Sequence, residues 1–150
     1  LYHLRGRLVK RHQEAIMKEF TELTIVTPNA PGKLAEVLRA LAKSKVNLIA
    51  IDSSSGYDLN MVRLVTNDPP KARKALQKLG YTATASTVLG VTISDKPGQL
   101  AHIAAAISKS RVNIDYIYGT AVAYDQPAMV IVHVAEASAA EKALRVAKIV

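Results

Sequence analysis

The chain has 150 residues, a net charge of +8 and no cysteine, so disulfides, thiolate metal sites and cysteine nucleophiles are excluded together. Apolar residues make up 49% of it, yet no run approaches the ~20 a membrane span needs, and a soluble, cytoplasmic protein is expected. The charge does not mark a nucleic-acid groove: residues 1–20 carry +3 of it, and the rest is spread over 130 residues without a dense cluster.

Leu1 is no initiator, and Met17 leads directly into the first β-prone run, so residues 1–16 are read as vector-derived. Residues 1–21 form an N-terminal extension to which no function is assigned. Residues 23–27 are β-prone and bounded by Pro28, which suits a strand. Pro31 is expected to open a helix, with Leu34, Val37, Leu38 and Leu41 as its apolar stripe. Residues 46–52 form a second strand, 53–58 a turn cluster and 60–66 a third strand. Asp68 before Pro69 starts another helix, in which Ala72, Ala75, Leu76 and Leu79 face a core and which Gly80 ends. Residues 81–88 complete a β-α-β-β-α-β series, the ferredoxin-like order.

The series then repeats. Pro31-Gly32-Lys33-Leu34-Ala35 returns as Pro97-Gly98-Gln99-Leu100-Ala101, and Lys43-Ser44-Lys45-Val46-Asn47 returns as Lys109-Ser110-Arg111-Val112-Asn113. The offset is 66 throughout, and 9 of the 17 positions from Pro31 to Asn47 are identical to their counterparts. One folding unit is therefore used twice, as residues 22–88 and 89–150. In the second copy, residues 89–94 are strand one, and Leu100, Ile103, Ala104 and Ile107 form the stripe of helix one. Residues 112–118 are strand two and 128–134 strand three. The offset grows to 68 at strand three, so the second hairpin is two residues longer. Ser138 and Glu141 read as a capping box for a last helix with Ala140, Ala143 and Leu144 inward. No full fourth strand follows, which leaves a sheet edge that a partner chain or a rearranged strand would cover. Units of this size have marginal cores alone, so the two copies are expected to pack together.

Two repeated features carry chemistry. The turns Asn29-Ala30-Pro31-Gly32 and Asp95-Lys96-Pro97-Gly98 precede helix starts, where free N–H groups attract a carboxylate and glycine admits close approach. Asp95 adds a charge that could hold an ammonium, and the two together describe a free amino acid. The alternative is that Pro-Gly shapes the turn while Asn29 and Asp95 cap the helices. Asn47 and Asn113 open second strands, where asparagine is disfavoured; each either meets a ligand or locks the neighbouring loop.

A strand, a turn with Asp-x-Pro-Gly, a helix opening Leu-Ala and a Val-Asn-Ile strand start together resemble the ACT domain. The resemblance covers both repeats, from residue 22 onward. It is nearest to small stand-alone proteins made of two ACT domains, and the second copy also resembles the regulatory domains of aspartokinases. It implies an α+β fold of two ferredoxin-like βαββαβ repeats packed side by side, with antiparallel strands in an eight-stranded sheet and helices on one face. It also implies a non-catalytic regulatory protein that binds an amino acid or other small effector between repeats. Carried onto this chain, one site joins Asp95, Lys96, Pro97, Gly98 and Gln99 to Asn47, Leu48 and Ile49. The other joins Asn29, Ala30, Pro31, Gly32 and Lys33 to Asn113, Ile114 and Asp115. The family's acid is present as Asp95 but replaced by Asn29 in the first copy, so the Asp95 site is expected to be tighter. A homodimer and a separate regulated enzyme are the implied partners. No cofactor or metal is expected, and no nucleic acid or membrane.

Other classes fare worse on the residues. An RNA-binding ferredoxin-like module needs aromatics on its third strands, and residues 60–66 and 128–134 contain none. Tyr116 and Tyr118 share one strand face and are the best case for stacking, although interface packing accounts for them as well. His3, His12, His102 and His133 are scattered without metal-ligand spacing. His133 reads as a packed or edge residue, and Asp52, Asp58 and Asp115 could meet only through folding. Acylphosphatases share the strand order but need an arginine in the first turn, which neither copy has.

Overall fold

The computed structural model describes residues 16–120 and 126–150. The order is β1 (Met17–Pro28), α1 (Lys33–Lys43), β2 (Leu48–Ser55), β3 (Leu59–Thr66), α2 (Pro69–Lys78) and β4 (Thr84–Ile93). Then come α3 (Gln99–Lys109), β5 (Ile114–Thr120), β6 (Ala128–Val134) and α4 (Ala137–Val146). Every strand pair is antiparallel, and one six-stranded sheet runs β2-β3-β1-β4-β6-β5. The class is α+β with two ferredoxin-like repeats, as expected. Among the described residues no helix is long and apolar enough to cross a membrane.

Six strands serve where eight were expected because two of them run through both repeats. The strands expected at 81–88 and 89–94 are one strand, β4. Nothing in Thr87-Val88-Leu89-Gly90-Val91 breaks an extended chain, and Gly90 stays in it because the Phe20 ring packs over it: a Cβ there would overlap that ring and lie 3.2 Å from the Met129 sulfur. β1 begins at Met17, six residues before the expected strand start. Its first half pairs with β4, with Met17 opposite Val91 and Glu19 opposite Leu89. Its second half pairs with β3, with Ile25 opposite Val62. The early part of β1 thus lies along the strand-one segment of repeat 2, in the position of a fourth strand for that repeat. The edge is covered from within the chain.

The side-chain period of two then divides the sheet into faces. Leu23, Ile25, Val62 and Leu64 meet Val37 and Leu41 of α1 and Ala72, Ala75 and Leu76 of α2. Leu89, Val91, Val130 and Val132 meet Ile103, Ala106 and Ile107 of α3 and Ala140 and Leu144 of α4. Ala104, expected in the stripe of α3, is exposed, and Ala106 is buried instead. The opposite face carries a third core of Ala50, Val65, Val88 and Ile131, with Phe20, Ile49, Tyr118 and Met129 against it. This core joins β2 to β5, the two ends of the strand order. The sheet therefore curls until its halves meet face to face.

Helix ends correct three further expectations. Pro31 and Pro97 lie in turns, and the N-caps of α1 and α3 are Gly32 and Gly98, at φ 85° and 91°, with no side-chain cap bond. Asn29 and Asp95 are accordingly not helix caps. The Ser138–Glu141 box is absent: α4 begins at Ala137 with Glu136 as N-cap, which places Ser138 inside the first turn. Asp68 caps α2 as expected, accepting from the Lys71 N–H at 3.0 Å, and Gly80 follows that helix at φ 86°.

Candidate functional site

The two repeated turns share one backbone. The N–H of Ala30 donates to the Pro28 carbonyl at 3.0 Å, and that of Lys96 donates to the Ser94 carbonyl at 2.9 Å. Lys33 and Gln99 each close the turn on residues 30 and 96 at 3.3 Å. With Gly32 and Gly98 both left-handed, the sequence repeat is a structural repeat.

What surrounds the turns differs. In repeat 1 the Asn29 side-chain amide donates to the carbonyls of Tyr57 at 3.2 Å and Gly56 at 3.5 Å, and its N–H donates to Asp58 at 2.8 Å. The β2–β3 hairpin is tied down onto the turn. In repeat 2 residues 93–101 line a cavity of about 980 Å³, with Gly119 and Thr120 of β5 and Gln126, Ala128 and Val130 opposite. An ionised carboxylate accepts but does not donate, so Asp95 cannot reproduce the Asn29 bonds to hairpin carbonyls.

The cavity has an apolar wall of Ile93, Ala128, Val130 and Leu100, the last half exposed at 50%. Its polar side is Asp95, Lys96, Gln99, Thr120 and Gln126. The first turn of α3 presents backbone N–H groups beyond the reach of the helix's own carbonyls. A carboxylate, an ammonium and an apolar or mixed side chain each find a counterpart here.

The expected partner segments are not part of that lining. Asn47 pairs with Asn67 through backbone and amide, at 2.9 and 3.0 Å. Leu48 packs on the core of repeat 1 and Ile49 on the core between the repeats. Asn113 donates to Asp115 at 3.2 Å, and Ile114 packs on the core of repeat 2. Lys33 pairs with Glu36 at 3.1 Å, and this hydrogen bond raises the ammonium's pKa. Within one chain, residues 95–99 and residues 47–49 therefore do not line one cavity.

Folding makes a cluster that sequence reasoning missed. Glu22 is fully buried, and both its carboxyl oxygens accept phenolic hydrogens, one from Tyr116 and one from Tyr118 at 2.6 Å. The Arg63 guanidinium lies 4.2 Å from the Tyr116 ring centre and is held by Asp52 at 2.6 Å. His133 stacks on Tyr116 at 4.7 Å and meets Asp115 at 3.0 Å. Burial first, and the Glu22 bond second, push both tyrosines well above their ordinary pKa. The alternation of Tyr116 and Tyr118 was the available signal; Glu22 gave none, being one acid in a β-prone run. The tyrosines are engaged between the repeats, so the RNA reading loses the aromatic pair it rested on. Among the described residues no group of three His, Asp or Glu side chains could hold a metal ion.

Two ferredoxin-like units share one sheet, each with a Pro-Gly turn at its first helix. The chain belongs to the ACT domain pair family, whose model matches residues 18–148. A solved Bacteroides thetaiotaomicron protein is similar at 29% identity and TM-score 0.80, over 88% of this chain and 90% of that one. The regulatory subunit of aspartate kinase from Thermus thermophilus is similar in fold, at 20% identity and TM-score 0.68, over 89% and 93%. That from Thermus flavus follows at 22% and 0.64, over 89% and 96%. No curated protein matches the chain.

Proposed function

We propose that this protein is a non-catalytic regulator that binds a free α-amino acid in the cavity beside Asp95 and passes its occupancy to a separate enzyme. The observation that carries the reading is the cavity itself: Asp95 and the start of α3 on one side, an apolar wall on the other. The carboxylate would meet the α3 N–H groups and the ammonium would meet Asp95. The likeness in fold to proteins described as regulatory subunits of aspartate kinase supports a regulatory role. Repeat 1, with Asn29 turned to its own hairpin, would bind more weakly or not at all.

A second copy would supply the remaining wall. Among the described residues β2 ends the strand order, with a strand on one side only. Leu48 and Ile49 already pack within their own chain, so their contribution would be backbone, with Asn47 adding a side chain. A ligand bridging two copies favours the assembly that forms both walls.

Thermal unfolding against each of the twenty amino acids tests the reading. A ligand at about 100 times its Kd adds ~2.7 kcal/mol, which raises the midpoint by about 5–10 °C. One amino acid should give that shift, and Asp95→Ala or Gly98→Val should remove it. No shift with any of the twenty overturns the amino-acid reading.

A further inference from the structure

The effector reading gives no task to Glu22. This residue occupies the point on β1 where the strand passes between repeats: it lies opposite Val65 of β3 on one side and Ser86 of β4 on the other. Its two hydrogen-bond donors stand on β5, 94 and 96 residues away in the other repeat. Behind Tyr116 come Arg63 of β3 and Asp52 of β2, so one polar chain runs from the β2 edge to the β5 edge. Its titratable groups are Glu22, Tyr116, Tyr118, Arg63 and Asp52, with His133 stacked on Tyr116 and Asp115 on His133.

The same strand reaches the cavity. Gly119 and Thr120 directly follow Tyr118 and line its wall. Among the described residues β5 ends the strand order, with β6 beside it. Its position is set by the β6 ladder and by what its face touches, the Glu22 bonds among them. A buried carboxyl that loses both phenols is left without partners, which is costly, so the clamp resists separation of β5 from β1. A displacement of β5 at the cavity is therefore transmitted to Glu22.

We propose that the Glu22–Tyr116–Tyr118 clamp couples filling of the repeat 2 cavity to the β2–β3 edge of repeat 1. This rests on the effector reading for its biological trigger, not for its mechanics. A ligand against Gly119 and Thr120 shifts β5, the tyrosines move with it, and Arg63 and Asp52 follow.

Hydrogen exchange read by mass spectrometry on the full chain tests the coupling without a ligand. Ala128→Leu adds bulk to the cavity wall, and it is compared alone and combined with Glu22→Gln. Ala128→Leu should change exchange at residues 48–66 about threefold, and Glu22→Gln should abolish that distant change while the local change at 93–101 persists. Tyr118→Phe, which keeps the ring and removes one bond, should weaken the distant change. A distant change that survives Glu22→Gln, or none in either background, overturns the proposal. The twenty amino acids at about 10 mM each form the second arm. If none alters residues 93–101 while Ala128→Leu acts through Glu22, the effector reading fails and the coupling stands. If one alters 93–101 but neither it nor Ala128→Leu reaches 48–66, the coupling falls and the effector reading stands.

Discussion

Repeat 1 and repeat 2 begin with the same turn and use it for different ends. The backbone bonds match, and so do the left-handed glycines Gly32 and Gly98. Asparagine and aspartate have the same shape and differ in what they can donate. Asn29 has an amide hydrogen to give and fastens the hairpin across the turn; Asp95 has none to give to a carbonyl, and a cavity lies beside it. A duplicated unit can keep its fold, which rests on the apolar stripes, while one isosteric side chain changes which hydrogen bonds its turn can make.

The comparison can be broken hardest at β1. Deleting residues 17–20 removes the strand that borders repeat 2 and leaves repeat 1's own pairing with β3 in place. Denaturant unfolding should show a loss of more than about 4 kcal/mol, and exchange protection should collapse at 89–93 well before 23–28. Equal loss in both repeats would show that β1 does not serve them separately. Gly90→Val drives a side chain into Phe20 at the same junction and should cost about 2–3 kcal/mol, measured the same way.

Exchanging the turn residues sharpens the comparison. Asn29→Asp removes two hydrogen bonds and sets a carboxylate against carbonyls, at a cost of about 1–2 kcal/mol in thermal unfolding. Asp95→Asn should weaken amino-acid binding at least about tenfold by calorimetry. If Asp95→Asn leaves binding unchanged, the asymmetry of the turns has no functional meaning.

Alkaline pH probes the junction instead of the turns. Tyr116 and Tyr118 have folded pKa values raised above the ordinary value near 10, so the folded state holds their protons longer than the unfolded chain does. Their contribution is complete below pH ~10 and is lost as pH rises above it. Absorbance at alkaline pH should show two phenols ionising only with unfolding, and Glu22→Gln should bring that step to lower pH. The smallest effect is local. Lys45 and Arg111 hold φ of 54° and 58° just after α1 and α3, where glycine is better suited. Lys45→Gly and Arg111→Gly should each stabilise by up to about 0.5–1 kcal/mol, equally in the two repeats.

Element order and core were legible because they depend on local pattern. Val37 and Leu41, or Ile103 and Ile107, fall at helical spacing whatever surrounds them, and the 66-residue offset exposes the duplication directly. Strand continuity was not legible. The junction at Val88 and Leu89 looks like an end only if each repeat is assumed to own its strands. The repeat singled out the turn that lines this cavity, but not the residues opposite: Thr120, Gln126 and Ala128 have no unusual chemistry, and the longer hairpin was the one hint. Glu22 was invisible because its partners lie more than ninety residues away and are brought to it by the curl of the sheet.

The shared strands also set a timetable. During synthesis residues 17–20 emerge before every other described strand segment, yet they have no partner until residues 88–91 have been made. Repeat 1 can assemble β3 against the later part of β1, while the early part waits for its partner. Repeat 2 then closes on the waiting segment, so the last unit made is sealed by the first. Such long-range closure slows folding and places the aggregation-prone interval between the two events.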